Sequence, residues 1–542
     1  MLRRNSRTVH GASFGLGKMV LAPLATACLL WLSFPGGGGI WPLLFIALAP
    51  LVLTCLGAGT PRQAGVCGLL AGLFHFLALL YWLVTVLGHY GGLPIYLSVP
   101  AFLLLALYMS LYLGVFALVA RLFLIRLPAS LALWLIPALW VALDWGRSVL
   151  FSGFPWMDPG YALANVPWLI QSADLWGHYG LSFVLVLINT LVAMLCMVRR
   201  QKEVRTVLVV PVILLCVGVA LYSYWRWQQI GAQMRVGETM RIGVVQGNIS
   251  QDLKWSPGVE KETLANYIGK SQGLIDHTLE QNRPLLVVWP ETALPFYPVV
   301  HPLLQSVRDL AVDGQISLLT GAPWVEQGIG SGDSRGDGKE TVRYYNRALL
   351  LNTAGQITDS YSKSHLVPFG EYVPLKKMLP FLAPLVEAAG DFSPGAVSHP
   401  LACQQARLGV LICFESIFPD IARNWVGVKA NLLVNLTNDA WYGRSSAPHH
   451  SLAMTVLRAV ETRRSLVRAA NTGFSGFIDP RGQVRKVSPL FESWAESEDV
   501  VLMEEETWFV RGGYLFAPCC LGAALFALIW IVLRNPRSRR FL

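Results

Sequence analysis

Residues 408–415 read LGVLICFE, an apolar run that ends at Cys413 and continues into Phe414 and Glu415. A short apolar run without alternation is typical of a strand covered on both faces, as in a parallel sheet. Active sites of open α/β sheets form where such strands end. The stretch therefore predicts a buried strand with Cys413 at the carboxyl edge of a sheet.

Two other segments have the same form. Residues 287–291 read VVWPE and place Glu291 just past an apolar run, and residues 361–371 read YSKSHLVPFGE and contain Lys363 and Glu371. Each side chain alone has an ordinary interpretation as a surface charge or a core cysteine. Together, a carboxylate, an ammonium and a thiol supply the base, oxyanion stabiliser and nucleophile for acyl transfer through a covalent intermediate.

The region around these segments alternates short apolar runs with amphipathic ones, which indicates a layered α/β fold. The predicted strands are Met240–Asn248, Leu285–Trp289, Ser317–Gly321, Ala348–Leu351, Leu408–Cys413, Leu432–Leu436, Leu466–Ala470 and Gly476–Ile478. The predicted helices are Glu260–Glu280, Pro302–Val312 and Pro448–Arg463. Between them, Gly328–Glu340 is rich in Gly, Ser and Asp and is predicted to be a mobile loop.

Outside this region the composition changes. The 542 residues are 54% hydrophobic and 14% charged, with a mean hydropathy of +0.47, which excludes a disordered, collagen-like or disulfide-scaffold protein. The net charge is +10, but residues 226–511 hold 27 Lys and Arg against 29 Asp and Glu. The basic excess therefore lies in the apolar remainder, where it indicates membrane topology and not a nucleic-acid surface.

Eight apolar runs approach the roughly 20 residues that a membrane-spanning helix needs. They lie near residues 19–34, 40–57, 64–87, 93–120, 129–150, 180–198, 206–225 and 513–533. We therefore predict a membrane domain of seven helices in residues 1–225, an extramembrane catalytic domain in residues 226–511, and one further helix with a basic tail in residues 512–542.

Basic residues occupy every second connection between the runs. They are Arg3, Arg4, Arg7 and Lys18, then Arg62, then Arg121 and Arg126, then Arg199, Arg200, Lys202 and Arg205, and finally Arg534, Arg537, Arg539 and Arg540. The positive-inside rule then places both termini in the cytoplasm and residues 226–511 on the other side. The alternative is a cleaved signal peptide ending near residues 25–27 (ATA), which would break this alternation.

The catalytic segments resemble the nitrilase superfamily, which has an αββα sandwich and a Glu-Lys-Cys triad. The resemblance covers residues 240–490 and implies that Glu291 is the base, Lys363 the lysine and Cys413 the nucleophile. Within that superfamily, the fusion to membrane spans is similar to the bacterial apolipoprotein N-acyltransferases. The segments that resemble that family are Gln246-Gly247-Asn248, Lys254-Trp255, Pro290-Glu291-Thr292, Tyr345-Asn346, residues 365–371, Asn438-Asp439-Ala440-Trp441, Asn471-Thr472-Gly473, Asp144-Trp145 and Gly153-Phe154-Pro155-Trp156.

The resemblance implies transfer of an acyl chain from a phosphatidylethanolamine-like phospholipid to the diacylglyceryl-cysteine of an apolipoprotein, through a thioester on Cys413. This ping-pong reaction is the last step of lipoprotein maturation in that family, and it implies no metal or cofactor. The enzyme is then expected to be a monomer in the bacterial inner membrane, with its catalytic domain in the periplasm. It has phospholipid and apolipoprotein substrates and no nucleic-acid partner.

Five residues are expected to support the triad: Trp255, Asn346, Glu371, Phe414 and Glu415. Trp255 and Asn346 resemble substrate-site residues, whereas Glu371 and Glu415 position Lys363 or the oxyanion site or serve only as structural hydrogen-bond partners. Phe414 departs from the Tyr that this family often has, so no hydroxyl role transfers to it. Two rival functions remain: a membrane-tethered amidase or nitrilase-type hydrolase, and a transporter with an accessory domain, which the scarcity of intramembrane charges disfavours.

Labelling tests the topology. A cysteine introduced within Gly328–Glu340 should react with a membrane-impermeant maleimide in intact spheroplasts, above the background of the parent chain. A cysteine placed beyond Arg534 should react only after the membrane is permeabilised, because the positive-inside rule puts it in the cytoplasm. The reverse pattern would contradict the predicted orientation.

Overall fold

The computed structural model describes residues 16–197, 202–252, 254–256, 258–279, 285–329, 340–372 and 391–534. Most of the predicted mobile loop, residues 330–339, lies outside the described residues. So do the basic residues Arg3, Arg4, Arg7, Arg199, Arg200, Arg537, Arg539 and Arg540.

The first part of the chain is helical. Its helices are α1 (Leu16–Ser33), α2 (Ala49–Gly57), α3 (Pro61–Leu80), α4 (Leu83–Thr85), α5 (Ile95–Arg126), α6 (Ala129–Val149), α7 (Ala173–Met197) and α8 (Lys202–Val236). Within the described ranges, six helical segments are long and apolar enough to cross a membrane, including the carboxyl-terminal Gly513–Arg534. Two shorter apolar segments, Met19–Ser33 and Trp41–Gly57, account for the other predicted spans.

The second predicted span is not one continuous helix. It consists of a 3₁₀ turn, Trp41–Phe45, followed by the short helix α2. Asn189 of α7 fills the break: its side-chain oxygen accepts from the backbone N–H groups of Leu48 and Ala49 at 2.8 and 3.0 Å, and its side-chain nitrogen donates to the Leu44 carbonyl at 2.7 Å. A neighbouring helix thus satisfies backbone groups that lipid cannot.

Residues 239–501 form two six-stranded sheets. The strands of the first sheet, in spatial order, are β12 (Trp494–Val501), β1 (Thr239–Gln246), β2 (Leu285–Val288), β3 (Ser317–Ile329), β4 (Glu340–Leu351) and β5 (Ile357–Ser362). Those of the second are β11 (Val484–Val487), β10 (Gly476–Ile478), β9 (Ser465–Ala470), β8 (Leu432–Thr437), β7 (Ala406–Ile412) and β6 (Leu401–Cys403). In each sheet three central strands are parallel, β1–β2–β3 and β7–β8–β9, and the outer strands are antiparallel.

Helices cover both sheets. The helices after α8, in chain order, are α9 (Val259–Leu279), α10 (Leu304–Asp313), α11 (Pro419–Gly427), α12 (Ala447–Thr462), α13 (Trp508–Arg511) and α14 (Phe516–Arg534), of which α14 is the carboxyl-terminal apolar helix. Helix α9 packs on β1, whereas α11 and α12 pack on the second sheet. The inner faces of the sheets share one apolar core, to which β1 contributes Ile242 and β7 contributes Val410. This αββα sandwich joined to apolar helices confirms the predicted fold class.

The eight predicted strands and three predicted helices are all present within a few residues of their predicted bounds, except that β3 and β4 are longer than predicted. Sequence reasoning missed β5, β6, β11, β12 and α11. Strand β12 reads WAESEDVV, and its carboxylates obscure the apolar signal because an outer antiparallel strand can leave one face in water. Helix α8 runs on to Val236, past the boundary predicted at residue 225.

One end of the membrane helices contacts the sandwich. The backbone N–H of Ser446 donates to the Tyr81 hydroxyl, just after α3, at 3.2 Å, and His89 lies 3.3 Å from Asp252. Phe154, after α6, stacks on Phe414. Arg62 lies at the end of α3 away from Tyr81, and Arg126 lies at the end of α5 away from His89. These two basic residues and the sandwich are therefore at opposite ends of the helices.

A buried ion cluster stabilises the contact between the membrane helices and the sandwich. Arg463, at the end of α12, is fully buried and donates to Asp174 of α7 at 2.8 Å and to the Gln171 backbone at 2.8 Å. Arg226 of α8 donates to the same Asp174 carboxylate at 2.6 Å. A second buried group joins the two parts, in which His178 lies between Asp158 and Glu461.

Replacing Arg463 should destabilise the whole protein. Arg463→Met leaves the buried Asp174 carboxylate with Arg226 as its one cation and the Gln171 oxygens without the guanidinium, and a buried pair that loses one partner costs about 3–5 kcal/mol. The measurement is the midpoint of thermal unfolding in detergent micelles. Arg485→Met, at an exposed position on β11, is the matched control and should change stability by about 0.5 kcal/mol or less. Equal midpoints for the two variants would contradict this account of the interface.

Candidate active site

Three strands that end at one edge of the sandwich position the predicted triad. Glu291 follows β2, Lys363 comes directly after β5, and Cys413 directly after β7. Strand β5 is antiparallel to β4, which is antiparallel to β3, so β5 runs parallel to β2 and ends at the same edge. The first sheet thus supplies the carboxylate and the ammonium, and the second sheet supplies the thiol.

Cys413 lies at a sharp turn. Its φ of 53° is in the left-handed region, where residues other than Gly are strained. A 3₁₀ turn, Cys413–Ile417, begins at this residue. The turn is held from behind by Glu415, whose Oε2 accepts from the Ile412 backbone N–H at 2.7 Å. Such strain persists only where surrounding contacts enforce it, and here it directs the thiol away from the strand.

Lys363 lies between two carboxylates. Its Nζ is 2.9 Å from Glu371 Oε2 and 3.8 Å from Glu291 Oε1. Asn346 of β4 joins the same two acids, since its amide donates to Glu291 Oε1 at 2.8 Å and to Glu371 Oε1 at 2.9 Å. The Lys363 side chain is 1% exposed, so the cluster is nearly closed to water.

The two oxygens of Glu291 differ. Oε1 accepts from Asn346, whereas Oε2 is buried and has no hydrogen-bond partner among the described residues. A carboxylate with one oxygen fixed and the other open has a defined orientation and one acceptor left for a proton. This is the geometry that a general base requires.

The pKa values of both the Cys413 thiol and the Lys363 ammonium are raised in this site. Burial, the Glu291 carboxylate and Asp439 raise the pKa of the Cys413 thiol to about 12, against the lowering effect of Lys363 and of a hydrogen bond with Thr437. Burial alone would lower the pKa of Lys363, but Glu371, Glu291 and Cys413 together raise it above its ordinary value. The resting site therefore holds a protonated thiol beside a permanent cation.

Glu415 connects the loops that carry Lys363 and Cys413. Its Oε1 accepts from the backbone and hydroxyl of Ser364 at 2.7 Å each and from the Tyr361 hydroxyl at 2.8 Å, while Oε2 accepts from Ile412. Burial raises the pKa of this carboxyl, although these donors oppose the shift. Glu415 thus fixes backbone next to both side chains, and its carboxylate also interacts electrostatically with Lys363.

The remaining predicted residues lie at the edge of the site. Trp255 is 54% exposed and lies outside the buried cluster. Phe414 is buried and stacks on Phe154 with ring centroids 6.1 Å apart, so the residue after Cys413 touches the membrane part. Cys403 and Cys413 are both free thiols.

Sequence reasoning missed two neighbours of Cys413, Thr437 and Tyr442, and quoted a third, Asp439, only as part of a motif. Thr437 and Asp439, at the end of β8, influence the thiol directly, and Tyr442 interacts with both Cys413 and Asp439. Lys254, quoted only as part of a Lys-Trp motif, is buried beside Glu291. The Lys-Trp motif was the one sequence feature that marked Lys254. The sequence does not show that its side chain is buried. Within the described residues, no three His, Cys, Asp or Glu side chains are grouped so that they could hold a metal ion.

Comparisons with known proteins cover both parts of the chain. Residues 26–191 match the model of the apolipoprotein N-acyltransferase N-terminal domain, and residues 241–498 match that of the carbon-nitrogen hydrolases. The apolipoprotein N-acyltransferase of Geobacter metallireducens is 40% identical over 94% of both chains, and that of Gloeobacter violaceus is 32% identical over 96% of this chain and 95% of the relative. An amidase structure from Nesterenkonia sp. is 20% identical over 51% of this chain and 94% of its own, with a TM-score of 0.35.

The electrostatics predict opposite effects of two substitutions on the resting thiol. Glu291→Gln removes a charge that raises the pKa of Cys413, so alkylation of Cys413 by iodoacetamide at pH 8 should become faster. Lys363→Met removes a charge that lowers it, so alkylation should slow by about tenfold or more. Mass spectrometry of the Cys413 peptide measures both rates, and the Cys403 peptide is the internal control. Slower alkylation in Glu291→Gln would mean that Glu291 instead maintains a thiolate in the resting enzyme.

Proposed function

The chain belongs to the apolipoprotein N-acyltransferase family, and we propose that it transfers an acyl chain from a membrane phospholipid to the α-amino group of an apolipoprotein's N-terminal diacylglyceryl-cysteine. Members of this family are acyltransferases of bacterial membranes. The donor is a phosphatidylethanolamine-like phospholipid, the intermediate is a thioester on Cys413, and the reaction is the last step of lipoprotein maturation.

One observation carries this proposal: the nucleophile adjoins the membrane helices. Phe414 stacks on Phe154, which follows α6, and Tyr442 packs against Trp82 and Trp156 with ring centroids 5.0 and 5.9 Å apart. A soluble substrate needs no such location. Both lipid substrates are confined to the bilayer, so a site fixed at its surface gains effective concentration.

The first half-reaction forms the thioester. Glu291 Oε2 takes the proton from Cys413, and the sulfur attacks the ester carbonyl carbon of the phospholipid. The electron pair of the carbonyl moves to its oxygen, where the Lys363 ammonium and a backbone N–H stabilise the negative charge. Collapse of this intermediate breaks the ester C–O bond, and the lysophospholipid alkoxide leaves with the proton held by Glu291.

The second half-reaction uses the same groups. The free amine of the apolipoprotein attacks the thioester carbon and gives a proton to Glu291, again through a tetrahedral state beside Lys363. Collapse breaks the C–S bond, forms the amide and returns the proton to Cys413. Each cycle converts one ester and one amine into one lysophospholipid and one amide, and the order is ping-pong.

Other side chains hold this machinery in place. Glu371 and Asn346 orient Lys363 and Glu291 through the hydrogen bonds described above, and Glu415 fixes the loops of Lys363 and Cys413. Trp255, exposed beside the site, is a candidate contact for the lipid acceptor or donor. Phe414, which has no hydroxyl, contributes packing along the acyl-chain path.

The proposed organisation follows the sequence prediction. Residues 1–225 form the membrane domain, residues 226–511 the periplasmic catalytic domain, and residues 512–542 the last helix and cytoplasmic tail of a monomer in the inner membrane. Both termini lie in the cytoplasm. The position of Arg62 and Arg126 at the helix ends away from the sandwich supports this orientation.

Single-turnover acylation of Cys413 by a defined phospholipid tests the roles. Glu291→Gln should abolish most thioester formation because the base is lost, even though its resting thiol is more acidic. Lys363→Met should slow both half-reactions by about 10²–10³, as expected when one oxyanion contact is lost in a water-excluded site. Cys403→Ser is the matched control and should acylate at the parental rate.

Two outcomes would contradict this proposal. Acylation of Glu291→Gln at the parental rate would remove Glu291 as the base. The second outcome is a thioester whose rate of hydrolysis by water is the same with and without a lipopeptide amine. That result would favour the alternative, a membrane-tethered hydrolase.

A further inference from the structure

A second lysine lies in this site, on the segment between β1 and α9. The side chain of Lys254 is 2% exposed, and its Nζ donates to the Glu291 backbone oxygen at 3.3 Å. Among the described residues this is its one hydrogen bond, although an ammonium has three N–H donors. Lys254 is therefore a buried cation with donor capacity to spare, next to the proposed base.

The charges of the site require such a cation. The carboxylates of Glu291 and Glu371 outnumber the single ammonium of Lys363, which leaves a net charge of −1 in a nearly dry cluster. Deprotonation of Cys413 would then add a second negative charge where solvent screens little. With Lys254 charged, the four side chains are neutral in total, and the thiolate is the first excess charge.

We propose that Lys254 is a positioning residue of the reaction, whose ammonium supports the Cys413 thiolate and anchors the backbone of Glu291. This deepens the proposed function and rests on it, because the thiolate is the species that attacks the phospholipid ester. Lys363 then stabilises the oxyanion, and Lys254 stabilises the nucleophile that precedes it.

The protonation of Lys254 adds a pH dependence. Burial lowers its pKa to about 8, although Glu291 and Cys413 each raise it. Because an amine is charged below its pKa, support for the thiolate is complete below about pH 8 and is withdrawn above it. The working range of the enzyme thus has an upper limit set by a lysine outside the triad.

Several other titratable groups surround Lys254 and its neighbours. Those that interact with Lys254, Glu291 or Cys413, or with Lys363 beside them, lie at the ends of β2, β5, β7 and β8 and are Glu291, Lys363, His365, Glu371, Cys413, Asp439 and Tyr442. Burial together with Lys363 lowers the pKa of His365 to about 4. The pKa values of Lys363, Cys413 and Tyr442 are all raised, so Lys254 is the group expected to titrate near pH 8.

Linkage between the two groups gives a distinctive rate profile. Below pH 8 the alkylation rate of Cys413 should rise tenfold per pH unit, as the thiolate fraction does. Above pH 8, loss of the Lys254 proton offsets the gain in thiolate, so the rate of the parent should flatten. Without the lysine charge the rate should start lower and rise without a break.

The experiment compares Lys254→Met, Lys254→Arg and the parent in detergent micelles from pH 6 to 10, with iodoacetamide as the probe and the Cys413 peptide as the readout. Lys254→Met should react about tenfold or more slowly than the parent at pH 7 and approach it by pH 10, since one opposite charge shifts a neighbouring pKa by about 1–3 units. Lys254→Arg should match the parent at pH 7 and keep rising above pH 8, because guanidinium does not titrate there. Lys261→Met, at an exposed position on α9, is the matched control and should follow the parent.

Two results would overturn the inference: equal profiles for Lys254→Met and the parent, or a Lys254→Arg profile that flattens near pH 8 as the parent's does. The arginine variant also decides the matter if the methionine variant does not fold. Alkylation requires no lipid, so these outcomes are independent of the proposed function. If the parent shows the break at pH 8 yet phospholipid never acylates Cys413, the proposed function fails and the role of Lys254 as support for the thiolate remains.

Discussion

The Lys363 ammonium, held between the carboxylates of Glu291 and Glu371 where water is nearly excluded, is the interaction on which the site depends. Buried charges are costly unless they are paired and hydrogen-bonded, and removing one partner is more costly still. Asn346 meets this requirement by donating to both acids. One oxygen of Glu291 is thereby fixed while the other is left open, so the same cluster that pairs the ammonium with the carboxylates also orients the proposed base.

A fixed cluster is useful only if the nucleophile is equally fixed, and here the two halves come from different sheets. Glu415 provides the connection, since it binds backbone beside Lys363 and beside Cys413 with the two oxygens of one carboxylate. The membrane helices complete the arrangement through the Phe154–Phe414 stack and the buried Asp174–Arg463 pair. The proposed catalytic groups are therefore held at a fixed place relative to the apolar helices, as the proposed transfer between two lipid substrates requires.

Much of this could be predicted from the sequence because the signals are local. Apolar runs gave the central strands, and the ends of two of them gave Glu291 and Cys413, whereas Lys363 was found from its motif in residues 361–371. The outer strands β5 and β12 are rich in polar residues, so their pattern resembles a loop until their partners are known. The break before α2 depends on Asn189, 140 residues away, and the inward position of Lys254 depends on Glu291. Such long-range contacts leave no trace in the spacing of residues.

The central claim is that Cys413 carries the acyl group between two lipid substrates. The most direct measurement is the mass of the Cys413 peptide after the purified protein has been incubated with a phospholipid of one defined acyl chain and then with a diacylglyceryl-cysteine lipopeptide. The account predicts an adduct of that acyl chain on Cys413 alone, which disappears when the lipopeptide is added while an N-acylated lipopeptide of the same chain appears. An adduct on Cys403, or N-acylated lipopeptide formed by the Cys413→Ala variant, would contradict it.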